Sequence, residues 1–84
     1  MEDIKMNKIE IIATINDVNL CRKNDFYFIK RNDGFMWDMV GTKEEVKNEL
    51  KRWLIEVDQN NEYMRICEKY FIFVLEGNEP KPVF

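Results

Sequence analysis

The 84-residue chain contains no histidine and no serine. Those absences exclude Ser-His-Asp and Cys-His catalysis, histidine-ligated zinc or iron, and a histidine proton switch. Glycine and proline are scarce, at three and two residues, while apolar side chains make up 45% and charged ones 35%. Such a composition folds and does not stay disordered. Only two cysteines occur, Cys21 and Cys67, with neither a CxxC pair nor metal-ligand spacing. They are expected to be reduced, inert thiols buried as small hydrophobes. The longest apolar run is the six residues Tyr70 to Leu75, far short of a membrane span. No signal peptide is recognisable, so a cytoplasmic chain with no membrane partner is expected.

What the chain does have is aromatic side chains: six Phe, three Tyr and two Trp, 13% of residues. One small domain over residues 1–84 is expected, with a frayed start at 1–6 and an extended tail at 78–84. A domain of this size buries only about 60% of the surface its unfolded chain exposes. Each aromatic ring fills about 150–250 Å² of that, so the surplus points to a surface for a partner. Phe, Tyr, Met, Ile, Asn and Lys supply 41 residues against 10 for Ala, Gly, Pro and Arg. That is the pattern of AT-rich coding, as in a low-GC bacterium or an element living in one.

Along the chain, Ile9, Ile11, Ala13 and Ile15 alternate with Glu10, Ile12 and Thr14, a strand pattern closed by Asn16-Asp17. Val18 to Asn24 reads as a loop or an edge-strand extension. A second strand is expected over Asp25 to Arg31, and Asn32-Asp33-Gly34 turns it into a third over Phe35 to Val40. Thr42 and Glu45 form a capping box for a helix whose apolar stripe is Val46, Leu50, Trp53, Leu54 and Val57. Tyr63, Ile66, Cys67, Tyr70, Phe71, Val74 and Leu75 keep a helical register, and Gly77 sits where a helix-ending glycine belongs. The expected fold is therefore α+β: a three-stranded antiparallel sheet followed by two helices, β-β-β-α-α. Because Tyr70 to Leu75 also has the composition of a buried strand, β-β-β-α-β is the alternative ending.

No constellation in this pattern carries chemistry. The helix acids Glu44, Glu45 and Glu49 suit capping and solvated pairing better than acid/base work, and no histidine is present to activate either cysteine. Asp17-Val18-Asn19 starts like a calcium loop but lacks its glycine and terminal acid. Neither a metal nor a cofactor is expected, and the chain reads as no enzyme. A small protein-binding module is expected instead: a phage or mobile-element inhibitor or regulator, with an anti-defence role, that docks on a larger protein or forms a homodimer. The apolar stripes leave Tyr27, Phe28, Met36 and Phe73 outside the core as its contact residues. Ile72 and Phe73, off the second helix's stripe, point to association through that helix. The alternative is single-stranded nucleic-acid binding. Arg22, Lys23, Lys30 and Arg31 bracket Phe26, Tyr27 and Phe28, which combines cations for phosphate with rings for bases. The tail residue Phe84 is a further candidate for docking.

Overall fold

A computed structural model describes residues 8–79. Four strands, β1 (Glu10–Ile15), β2 (Val18–Lys23), β3 (Phe26–Arg31) and β4 (Met36–Gly41), form one antiparallel meander in the order β1-β2-β3-β4. Helix α1 (Lys43–Arg52) follows, runs into a π-helical turn over Trp53–Val57, and is succeeded by α2 (Glu62–Leu75). The α+β class and the two helices after the sheet agree with expectation, and the last segment is a helix. The strand count does not: Val18–Lys23 is a full strand, paired along its length with β1 and β3.

Its turns explain why. Asn-Asp recurs at 16–17, 24–25 and 32–33, and each pair closes a hairpin. Asn16 and Asn24 adopt φ of 56° and 58°, in the left-handed region that asparagine tolerates better than other non-glycine residues. In the third turn Gly34 takes the positive φ, 96°. There the Arg31 amide donates to the Phe35 carbonyl at 2.8 Å, and the Phe35 amide donates to the Asp33 carboxylate at 3.0 Å.

One face of the sheet carries the core. Ala13, Ile15, Val18, Leu20, Tyr27, Ile29, Trp37 and Met39 pack against Val46 and Leu50 of α1 and Cys67, Phe71, Val74 and Leu75 of α2. Trp37 stacks on Trp53 with ring centroids 6.0 Å apart and meets Phe71 edge-on at 6.3 Å. Tyr27, expected on the surface, belongs to this core. Strand residues alternate in direction, and Tyr27 shares the helix-facing side with its neighbour Ile29.

The α1 capping box is present as expected. Thr42 Oγ1 accepts from the Glu45 amide at 3.3 Å, and Glu45 Oε1 accepts from the Thr42 amide at 2.9 Å. Gly41 makes room for that return, because a Cβ there would collide with the Glu45 carboxylate. The expected stripe holds for Val46 and Leu50 and weakens beyond them, with Trp53 and Leu54 half-buried and Val57 exposed. The Asp58 amide bonds the Trp53 carbonyl at 2.8 Å, a five-residue step that widens the turn and carries Val57 off the buried side. In α2 the buried face is also rotated from expectation. Tyr63 and Ile66 are exposed, Ile72 leans on the core, and Glu68 takes a fully buried position beside Cys67 and Phe71. The expected frayed start and the Phe84 candidate lie outside the described residues.

Candidate protein-docking face

The side of the sheet turned away from the helices follows from the strand register. Antiparallel partners project to the same face, so Ile11, Cys21, Phe28 and Val40, paired in sequence across the strands, form one apolar row spanning all four. Lys23 and Phe26 form a second row on one side of it. Thr14, Asn19, Lys30 and Met36 form a third, mostly polar, row on the other. Ile9 and Asp38 join this face by alternation. No described element packs on it: the helices contact the opposite side, and neither Cys21 nor Phe28 belongs to the helix-side core.

A β-bulge creates half of this surface. Between Ile11 and Ala13 the β1 register slips by one residue against β2, with Ile12 as the extra residue. Ala13 and Ile15 therefore face the core, whereas Ile9 and Ile11 are sent to the other side, where Ile11 is 64% exposed. The regular alternation from Ile9 to Ile15 had placed all four on one face, and a one-residue slip reverses side chains in this way. On β4 at the opposite edge Val40 is 66% exposed and Met36 about half exposed, and Phe26 on β3 is about half exposed as well. Cys21 and Phe28 fill the middle of the face and are buried.

The expected contact residues are thus scattered. Phe28 and Met36 lie on this face, Tyr27 lies in the core on its reverse side, and Phe73 is exposed on α2. Ile9, Ile11, Phe26 and Val40 are not among the expected contact residues: the alternation of β1 groups Ile9 and Ile11 with Ala13 and Ile15, and only the register across all four strands brings Phe26 and Val40 onto one face with them.

The four basic candidates divide in the same way. Arg22 is paired with Glu10, and Arg31 with Asp33 while its guanidinium stands 4.9 Å over the Phe35 ring. The Arg31 pairing, with the Phe35 amide, holds the Asp33 carboxyl down at about 2. Lys23 and Lys30 lie on the outer face and make no ion pair among the described residues. Asn19 stitches the polar row together: its amide nitrogen donates to the Lys30 carbonyl at 3.1 Å, and its oxygen accepts from the Thr14 hydroxyl at 2.7 Å.

Elsewhere the chemistry is closed off. Burial pushes the Cys21 thiol up against the opposing influence of Lys30, and burial carries Cys67 to about 11, so both thiols stay protonated at neutral pH. Glu68 is raised to about 8, first by burial and then by the adjacent Asp58 carboxyl, with Arg65 opposing. Neither Glu68 oxygen, nor Asp58 Oδ2, has a hydrogen-bond partner among the described residues. Glu68 itself has 0% of its surface exposed, whereas Asp58 is half-buried. A groove of about 520 Å³ runs between β4 and α1. Of the three carboxylates that line it, Glu45 is held by the α1 cap and Glu49 by Arg52 and Trp53, which leaves Asp38 as a single acid at its rim. Among the described residues no three Cys, Asp or Glu side chains gather as metal ligands, and no helix is long and apolar enough to cross a membrane.

Comparison with protein-family models, with curated proteins and with solved structures finds no match to this chain.

Proposed function

We propose that this protein is a non-enzymatic protein-binding module that docks through the outer face of its sheet. The apolar row Ile11–Cys21–Phe28–Val40 carries the reading, because it crosses the whole sheet with no described element packed on it. The two ends of the row, Ile11 and Val40, and the flanking Ile9, Phe26 and Met36 are half to two-thirds exposed. Together they present roughly 500–600 Å² of apolar surface, at the upper end of what monomeric proteins leave open. A flat apolar face bordered by Lys23, Lys30 and Asp38 suits another protein's surface better than a small ligand, which needs a concave site. Inhibition or regulation of a larger protein by simple occlusion fits this face. A phage or mobile-element origin rests on size and coding bias alone.

Single-strand nucleic-acid binding draws support from Phe26 and Phe28 sharing the face with Lys23 and Lys30. It is the weaker reading: Arg22 and Arg31 are neutralised by acids, and the row between the lysines is aliphatic at both ends.

The test is affinity capture with photo-cross-linking, comparing wild type with Ile11→Lys/Val40→Lys and with Ile66→Lys/Phe73→Lys on α2. All four positions are substantially exposed, so the fold should survive both changes. Loss of cross-linked protein from the sheet variant alone is the expected result. Capture unaffected by that variant, or replaced by salt-sensitive capture of oligonucleotides, would overturn the proposal.

A further inference from the structure

We infer that the outer sheet face pairs with a second copy of itself, face to face, about a twofold axis that runs parallel to the strands between β2 and β3. The inference rests on that face being the docking surface, as proposed above, and names its occupant.

Three features point to a second copy. The first is area. Two such faces brought together can remove about 1,000–1,200 Å² from the five exposed apolar side chains of each copy, at the lower edge of the range of stable specific interfaces. The stems of Lys23 and Lys30 add to it while their ammonium groups stay in water.

The second feature is the order of residues within each row. An axis along the strands lays β1 over the partner's β4 and β2 over the partner's β3, and keeps each row opposite itself. Ile11 then faces the second copy's Val40, joining the two most exposed aliphatic side chains of the sheet. Cys21 faces the second copy's Phe28, so a small side chain meets a ring at the centre, twice, by symmetry. Facing layers that alternate large and small interdigitate best. In the flanking rows Lys23 meets the second copy's Phe26, and Asn19 meets its Lys30. The central row thus lies apolar on apolar, while in the flanking row the Lys23 stem lies along the second copy's Phe26 ring with its ammonium toward water.

The third feature is that the other in-plane axis fails. An axis across the strands would set the Lys23–Phe26 row against the Thr14–Asn19–Lys30–Met36 row. It would also set Phe28 on the second copy's Phe28 and Cys21 on its Cys21, ring against ring beside a gap, where the axis along the strands sets small against large. An isologous contact of this kind closes at two copies.

The geometry has a direct test, because β1 of one copy lies over β4 of the other. Ile11→Lys and Val40→Asp, each alone, should leave monomers in light scattering at high micromolar concentration, with dimer affinity reduced at least 100-fold. Mixed in equal amounts, they should form a heterodimer, since Lys at 11 in one chain then faces Asp at 40 in the other while the second Ile11–Val40 contact is wild type. Circular dichroism checks each chain. If a charged variant loses its native spectrum, Ile11→Thr and Val40→Thr, which keep β-branched side chains, replace the pair and should weaken the dimer without recovery on mixing. Wild-type protein that stays monomeric overturns the second copy, while loss of a cross-linked foreign protein from Ile11→Lys/Val40→Lys would still uphold the docking face. A wild-type dimer indifferent to the single charge variants overturns the face itself. A dimer lost in both charged variants and not regained on mixing overturns the axis.

Discussion

Replacing Glu68 with glutamine should remove a pH dependence that the wild-type protein carries in its interior. Glu68 is fully buried on α2, no donor among the described residues reaches its oxygens, and burial together with the Asp58 carboxyl, to which its own proton can be donated, raises it from 4.5 to about 8. A raised carboxyl means that the folded state holds this proton more tightly than the unfolded chain does. Glu68 therefore costs no stability below pH 4.5, and its cost grows as pH rises from there to about 8, where it levels off. At pH 7 the gap of two and a half units from 4.5 corresponds to about 3 kcal/mol, a large part of what so small a domain has to lose. Glu68→Gln keeps the shape and a donor toward Asp58 without an ionisable proton. Urea melts at pH 5, 7 and 8.5 should show the variant close to wild type at pH 5 and more stable by about 3 kcal/mol at pH 7, widening toward pH 8.5. Parallel curves for the two proteins over that range would show that Glu68 is not held protonated in the native state, and would refute the reasoning.

Other consequences can be checked in the same melts. Trp53→Ala removes the ring stacked on Trp37 and should cost about 3 kcal/mol, against about 1 kcal/mol for Thr42→Ala at the α1 cap. Gly41→Ala should destabilise by at least as much as Thr42→Ala, since the new methyl displaces the Glu45 carboxylate from the cap; an unchanged midpoint would contradict this. Both thiols should resist a thiol-specific disulfide reagent in the native protein and react at once in urea, as burial keeps Cys21 and Cys67 protonated. Phe73→Asp, which the sequence reading expected to abolish association, should leave both fold and association intact, because Phe73 is exposed on α2 away from the sheet face.

How far the sequence could be read varied with the physics behind each element. The α1 start was legible because a capping box is a local signal, complete within Thr42 to Glu45. The Gly34 turn was legible for the same reason. Strand β2 was missed because Asn19, Arg22 and Lys23 dilute its apolar content. The eight-residue recurrence of Asn-Asp at 16, 24 and 32 was the signal that marks it. The bulge at Ile12 left no trace in the alternation of β1, and with it went the assignment of Ile9 and Ile11. Helix periodicity placed α2 but not its rotation: the sheet and α1 jointly chose a face containing Glu68 and Met64 over one containing Tyr63 and Ile66, a tertiary decision. Of the expected site residues, Phe28, Met36, Lys23 and Lys30 converge on the outer face. Tyr27 was lost to the core and Arg22 and Arg31 to local ion pairs.

The docking face is tested most directly by residue-resolved carbene footprinting, comparing dilute purified protein with the same protein at high concentration and in extract of its native host. Labelling at Ile11, Phe26, Met36 and Val40 should fall in at least one of the latter conditions, while Tyr63, Ile66 and Phe73 on α2 stay as labelled as in dilute solution. Protection confined to the α2 residues, with the four sheet residues still fully labelled throughout, would contradict the assignment of the outer sheet face as the docking surface.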